Sequence, residues 1–192
     1  MSKISIVYHS GYGHTQKQAE AVRDGAAANT NDEVHLIPVD DVDDHWETLE
    51  ASDAIIFGSP TYMGGVSAQF KTFADKSSKV WFTRGWQDKI AAGFTNSSSQ
   101  NGDKHSTLQQ LSILAAQHGM LWVPLGLAPG NNSSEGSVED VNRLGASLGA
   151  MAQSNADQGP EHGPIASDLE TAKLLGRKVT EIANRFNRTQ AA

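Results

Sequence analysis

The spacing of apolar positions changes several times along this chain, and each change predicts an element. Ile4-Ser5-Ile6-Val7-Tyr8 is a short β-branched run stopped by Ser10 and Gly11, which predicts a strand. From about Thr15 the spacing becomes helical, with Ala19, Val22 and Ala26 on one face, and Asn29 to Asp32 breaks it. Val34 to Val39 predicts a second strand, and His45 to Ala51 a short helix. Asp53 to Pro60 predicts a third strand, apolar enough to be covered on both faces as in a parallel sheet. Val66, Phe70 and Phe73 then mark an amphipathic helix, and Lys89 to Thr95 a fourth strand. Thr107 reads as the cap of a helix carrying Leu108, Leu111, Leu114 and Ala115. Met120 to Val123 predicts strand five. Residues 124–165 are rich in Gly, Asn, Ser and Pro, which predicts an insertion with one short helix near Val138. Ser167-Asp168-Leu169-Glu170 has the form of a capping box. The last helix follows, with Ala172, Leu175, Val179, Ile182 and Phe186 as its buried stripe.

Strands alternating with helices predict an α/β fold, a three-layer sandwich around an open parallel sheet with right-handed crossovers. Five strands in this rhythm suit the flavodoxin-like order 2-1-3-4-5. Ligands of such sheets bind beyond the carboxyl ends of the strands, where the order reverses. The chain has 192 residues, a length that favours one domain.

Three strand-end loops share features that suit a ligand. Ser10-Gly11-Tyr12-Gly13-His14-Thr15 joins strand one to helix one. Amides at a helix start are unpaired and lie at the positive end of the dipole, so this loop can cradle a phosphate without Lys or Arg. It is not a dinucleotide fingerprint, because Gln16 stands where the third glycine belongs. It is not a P-loop either, because no Gly-Lys-Ser/Thr closes it. Pro60-Thr61-Tyr62-Met63-Gly64-Gly65 follows strand three, and Tyr62 suits the cover of a flat ring. Thr95-Asn96-Ser97-Ser98-Ser99-Gln100-Asn101-Gly102 follows strand four and is almost wholly small and polar. Each loop alone reads equally well as an ordinary connection; together they point to one ligand.

The bulk composition narrows the classes of function. The formal net charge is −7, which argues against a nucleic-acid partner. There are no cysteines, so disulfides, thiolate catalysis and Cys-held metals are excluded. No apolar stretch is long enough for a membrane span, and no signal-peptide layout precedes Lys3, so a cytoplasmic protein is expected. The seven histidines show no paired metal spacing, and no metal is expected. His9, His35 and His45 read as structural or surface residues. Asp40, Asp41, Asp43 and Asp44 read as a solvated acidic loop. Gly145-Ala146-Ser147-Leu148-Gly149 matches a nucleophile elbow, but no good strand precedes it. Small residues in a packed helix are the simpler reading.

The loops Tyr8–Thr15, Gly58–Gly65 and Phe94–Gly102, with Gln117-His118-Gly119-Met120 and Trp122 to Gly126, resemble a known family. It is the flavodoxin-like NAD(P)H:quinone oxidoreductases of the tryptophan repressor-binding protein (WrbA) family. The resemblance covers most of residues 3–126 and returns in the last helix. It implies non-covalent FMN with its phosphate on Ser10, Gly11, Tyr12, Gly13, His14 and Thr15. It implies Pro60, Thr61, Tyr62, Met63 and Gly64 along the isoalloxazine, with further contacts from Thr95, Asn96, Ser97, Ser98 and His118. Tyr12 and Trp81 would frame the pocket where NAD(P)H and a quinone take turns, Trp81 across a subunit contact in a homo-oligomer. The third loop, the Tyr62 position and the stretch from Ala128 to Pro164 depart from the family pattern. A one-electron carrier and a non-catalytic flavin-binding regulator remain as other readings.

Overall fold

The computed structural model describes residues 1–28 and 31–190. Four strands form the body of a parallel sheet: β1 (Lys3–Tyr8), β2 (Glu33–Pro38), β3 (Ala54–Tyr62) and β5 (Ile90–Ser97). Ile4 pairs with Val34 on one side and with Ala54 on the other, so β1 lies between β2 and β3. The fifth place is filled twice on one edge of β5. There β6 (Leu121–Trp122) pairs with Ile90 and Ala91, and β7 (Ala150–Gln153) pairs with residues from Phe94 to Ser97. The sheet therefore follows the expected order, but its last strand is interrupted. Predicted strand five is only two residues long, and the stretch expected to be an insertion supplies the rest.

Strand alternation builds one core on each face. Ile4, Ile6, Ala54, Ile56, Ala92 and Phe94 face α1 (His14–Ala26) and α6 (Ala166–Gln190). Val7, Ile55, Phe57 and Ala91 face the other way. They meet α2 (Trp46–Ala51), α3 (Ala68–Lys76) and α5 (Lys104–Gln117), with the short α4 (Ser78–Thr83) beyond α3. On the first face α1 and α6 pack backbone to backbone. A Cβ on Gly25 would lie 1.8 Å from the Lys173 carbonyl oxygen, and one on Gly176 would lie 2.0 Å from that of Val22. The predicted stripes on both helices are buried at Ala19, Val22, Ala26, Ala172, Leu175 and Val179. Asn29 and Thr30, in the predicted break after α1, lie outside the described residues. No helix among the described residues is long and apolar enough to cross a membrane.

Several local expectations are corrected. Val66 is in β4 (Gly65–Val66), which returns antiparallel on β3, and α3 starts only after Ser67. The Ser67 hydroxyl accepts the Phe70 N–H and caps that helix. Thr107 is not a cap but a buried residue one turn inside α5. Ser167 is not a cap either, since α6 begins at Ala166; its hydroxyl donates to the Val138 carbonyl at 2.7 Å. No helix forms near Val138. Asp140 there accepts the N–H groups of Asn131 and Ser137, and Asn142 turns left-handed at φ 55. Its side-chain amide donates to the carbonyls of Leu127, Ala128 and Ala146, so side-chain bonds replace the helical ones. Gly145 to Gly149 lies in a loop running into β7, neither a packed helix nor a strand–turn–helix elbow.

Candidate functional site

The carboxyl ends of β1, β3 and β5 open into a cleft of about 470 Å³. Its walls are Ser10, Tyr12, His14 and Thr15 from the first loop and Pro60, Thr61 and Tyr62 from the second. Asn96, Ser97 and Ser98 come from the third. The sheet order thus brings three distant loops together. The fourth wall is Ser154, Asn155, Ala156, Gln158 and Gly159, from the segment after β7. Sequence reading missed this wall, because nothing local marks a polar stretch as the end of an interrupted strand. No Lys, Arg, Asp or Glu lines the cleft.

In the first loop, Gly13 precedes α1 at φ 87, a conformation that L side chains rarely adopt. The Ser10 hydroxyl accepts the N–H groups of Gly13 and Gln16, both at 3.1 Å. That leaves the N–H groups of Tyr12, His14 and Thr15 without an acceptor among the described residues. Such unpaired amides at the mouth of a helix form a ready anion site. Nδ1 of His14 lies 2.8 Å from the Gly163 carbonyl, so that nitrogen carries the proton and donates. His14 thereby ties the loop to the segment after β7. Tyr12 is exposed at the rim.

The second loop is a hairpin tip rather than a strand–helix turn. Met63 and Gly64, at φ 49 and 81, join Tyr62 to its partner Gly65. Two central residues with positive φ match the twist of an antiparallel pair. The Met63 side chain is fully exposed, and neither Met63 nor Gly64 lines the cleft. Below the tip, Thr61 Oγ1 lies 2.8 Å from the hydroxyls of both Thr95 and Thr107. This chain of three hydroxyls locks β3, β5 and α5 together and puts Thr95 beneath the cleft rather than in it. Tyr62 leans over the first loop, so that a Cβ on Gly11 would lie 2.5 Å from its hydroxyl. Burial raises the Tyr62 phenol above its usual range, Tyr12 adds to this, and the Gly11 N–H opposes it. His9 is buried beside Tyr62, with ring centroids 6.5 Å apart. Burial lowers its pKa and Asp40 opposes that.

The third loop is held from behind. Lys104, buried at the start of α5, donates to Ser97 Oγ and to the carbonyls of Ser99 and Gln100 at 2.7–2.8 Å. The Ser97 hydroxyl donates to Ser99 O at 2.9 Å, so it is engaged away from the cleft. Gln153 Nε2 reaches the Ser98 carbonyl at 2.9 Å. Below β7, the guanidinium of Arg143 forks onto Asp168, with Nε to Oδ1 at 2.8 Å and Nη2 to Oδ2 at 2.7 Å. Both side chains are buried, and Asp168 also accepts the Gln153 N–H at 2.9 Å. Sequence reading missed Lys104, Arg143 and Asp168, since isolated charged residues carry no local sign of burial.

Besides Met63, Gly64 and Thr95, two more residues named by resemblance do not reach this cleft within one chain. His118 follows the 14 residues of α5, whose length carries it roughly 20 Å from Lys104. There it is buried, with Nε2 2.8 Å from Ser77 Oγ and its ring centroid 4.4 Å from that of Trp86. Burial holds its pKa down to about 4, so it is neutral at pH 7. Trp81 stands half-exposed on α4, its ring edge-on to the exposed Phe82 at 5.1 Å. It does not line the cleft of its own chain.

A second hollow, about 730 Å³ and wide open, lies behind the third loop between Gln100, His105, Pro124 and Met151. It is lined by few residues of the three loops, and the unpaired amides belong to the smaller cleft.

The family model for NADPH-dependent FMN reductase matches residues 14–133, which takes in α1, the second and third loops and α5. The chain belongs to that family. Flavodoxin FldP of Pseudomonas aeruginosa is 47% identical over 191 residues, 97% of this chain and 100% of that one. The NAD(P)H dehydrogenase (quinone) of Archaeoglobus fulgidus is 32% identical over 208 residues, again 97% of this chain and 100% of its own length. The crystal structure of a flavodoxin, WrbA-like protein from Agrobacterium tumefaciens superposes with a TM-score of 0.76 at 46% identity. That match covers 96% of this chain and 99% of the other. The protein is thus a flavodoxin-fold oxidoreductase, and its cofactor is FMN. The site fits that cofactor: free amides for a phosphate, an uncharged cleft for a flat ring, and two tyrosines at the rim.

Proposed function

We propose that this protein passes electrons from NAD(P)H to a quinone-type acceptor as a pair, through FMN held in the neutral cleft. FMN supplies the chemistry of accepting and giving hydride, so no protein nucleophile is required. The amides of Tyr12, His14 and Thr15 hold the phosphate, with the first-loop hydroxyls of Ser10 and Thr15 beside them. Pro60 to Tyr62 and Asn96 to Ser98 flank the ring, and the wall from Ser154 to Gly159 keeps water from its side. Tyr12 gives the donor an aromatic surface at the rim. The observation that carries this reading is the uncharged cleft with three unpaired amides at one end. It suits a large, flat, mostly neutral cofactor with an anionic tail. Its use for quinone reduction draws on the relatives named NAD(P)H dehydrogenase (quinone).

Purified protein loaded with FMN is expected to oxidise NADH or NADPH in the presence of benzoquinone. One hydroquinone should form per nicotinamide oxidised, with no quinone radical in the electron paramagnetic resonance spectrum. Tight FMN binding without nicotinamide oxidation would replace this reading with one-electron carriage, which the relative named flavodoxin favours.

In the same reading the protein is a cytoplasmic homo-oligomer. Helix α4 buries none of its side chains, and Trp81 and Phe82 are exposed on it. Trp81 meets the ring only if it reaches the cleft of a neighbouring copy. Sedimentation equilibrium at micromolar concentration is expected to give a dimer or tetramer, and Trp81→Ala to shift it toward monomer. A wild-type monomer rules this arrangement out.

A further inference from the structure

The third loop has no stiffness of its own. It is a run of Ser, Asn, Gln and Gly, and ordering each residue costs backbone entropy. Its order comes from behind, where all three protons of the Lys104 ammonium are engaged, on Ser97 Oγ, Ser99 O and Gln100 O. Gln153 takes the neighbouring carbonyl of Ser98. Three successive carbonyls are therefore held, two of them by the buried lysine. In a trans peptide the N–H points opposite to the C=O, so the amides of Gln100 and Asn101 turn away from the lysine and that of Ser99 away from Gln153. None of the three has an acceptor among the described residues. Gly102, at φ 55, closes the turn so tightly that a Cβ there would lie 2.3 Å from Ser97 Oγ.

We propose that Lys104 is a positioning residue of the cofactor site: from behind the third loop it holds the Ser97 hydroxyl and the carbonyls of Ser99 and Gln100, which fixes Ser97 and Ser98 as a wall of the cleft and sets behind that wall a buried positive charge that favours the electron-rich, reduced ring. It touches neither cofactor nor substrate. This rests on the reading that the cleft holds FMN. Burial lowers the pKa of this ammonium to about 8. The charged groups facing it are Asp168 of α6 and Arg143, which are paired with each other. Carboxylates and guanidiniums do not titrate between pH 7 and 10, so the lysine is the group that changes there. Above about pH 8 it loses its charge and one of its three donors, and the loop loses an anchor.

The test compares wild type with Lys104→Met and Lys104→Gln, using FMN as the probe. Hydrogen exchange of the bonded amides that border the loop, those of Asp103, residue 104 and Ser154, is read first in FMN-free protein. Both variants are expected to exchange there roughly tenfold faster or more, the scale of one lost charge-assisted hydrogen bond, with Gln intermediate. FMN affinity, followed by flavin fluorescence, should fall by a similar factor. The midpoint potential of the bound flavin should become more negative in both. Wild-type affinity should weaken as pH rises through about 8, while Lys104→Met shows no such step. Equal loop exchange, or the same pH step in both proteins, overturns the proposal. A wild type that binds no FMN sinks the flavin reading instead, and the FMN-free exchange still decides the role of the lysine. If neither variant folds, wild-type exchange alone decides. Excess exchange of the same bordering amides above pH 8, relative to other loops, supports the proposal, and no excess overturns it.

Discussion

Replacing Asp168 with alanine is expected to destabilise the protein by about 3–5 kcal/mol and to lower the melting temperature by roughly 10 °C. The reason is the guanidinium left behind. Arg143 is buried, and Asp168 meets it with two short parallel hydrogen bonds. Removing one partner strands a largely buried charge, which costs far more than the intact pair contributes. The same cut leaves the Gln153 N–H without its acceptor, at the strand that leads into the fourth wall of the cleft. FMN affinity should therefore fall together with stability, although Asp168 lies outside the cleft. The double variant Arg143→Met/Asp168→Leu separates the causes. With no charge to strand, it should recover most of the lost melting temperature. A double variant as unstable as Asp168→Ala, in thermal denaturation by circular dichroism, would reject the stranded-charge explanation.

That ion pair also shows where sequence reading ends. Strands β1, β3 and β5 were legible because their apolar runs are covered on both faces, and α1 and α6 because their stripes recur at helical spacing. The first three walls of the cleft followed, since a parallel α/β order forces loops after neighbouring strands to one end of the sheet. The interrupted fifth strand was not legible. Trp122 and Ala150 lie on one edge of β5 but are separated by a loop held by Asn142, Asp140 and the Arg143–Asp168 pair. These are bonds between distant residues, and no window of local spacing records them. Thr107 looked like a cap because a threonine preceded apolar residues. Lys104, three residues earlier, opens the helix, and its burial is set by a loop that folds back onto it. Resemblance named His118 and Trp81, yet neither lines the cleft of its own chain, because a likeness of short segments carries no distances between them.

Gly13→Val is expected to weaken FMN binding by at least about a hundredfold, the scale of losing two hydrogen bonds to a charged group. Two separate obstacles act at this position. At φ 87 the backbone is left-handed, which costs an L residue roughly 1–2 kcal/mol, and a β-branched one more. A Cβ there would also lie 2.8 Å from Cγ of Pro160, which follows directly on the fourth wall of the cleft. The chain relieves both by moving the first turn of α1, and that turn carries the unpaired amides proposed to hold the phosphate. Asparagine tolerates the left-handed conformation better, so Gly13→Asn isolates the contact with Pro160. Pairing it with Pro160→Gly removes that contact as well, and the pair should bind FMN within about tenfold of wild type, since little is then left to displace the amides. Titration of flavin fluorescence on all three proteins, with melting temperatures as a control for folding, decides the matter. Wild-type affinity in Gly13→Val would mean that the phosphate does not rest on this turn, and the placement of the cofactor would have to be abandoned with it.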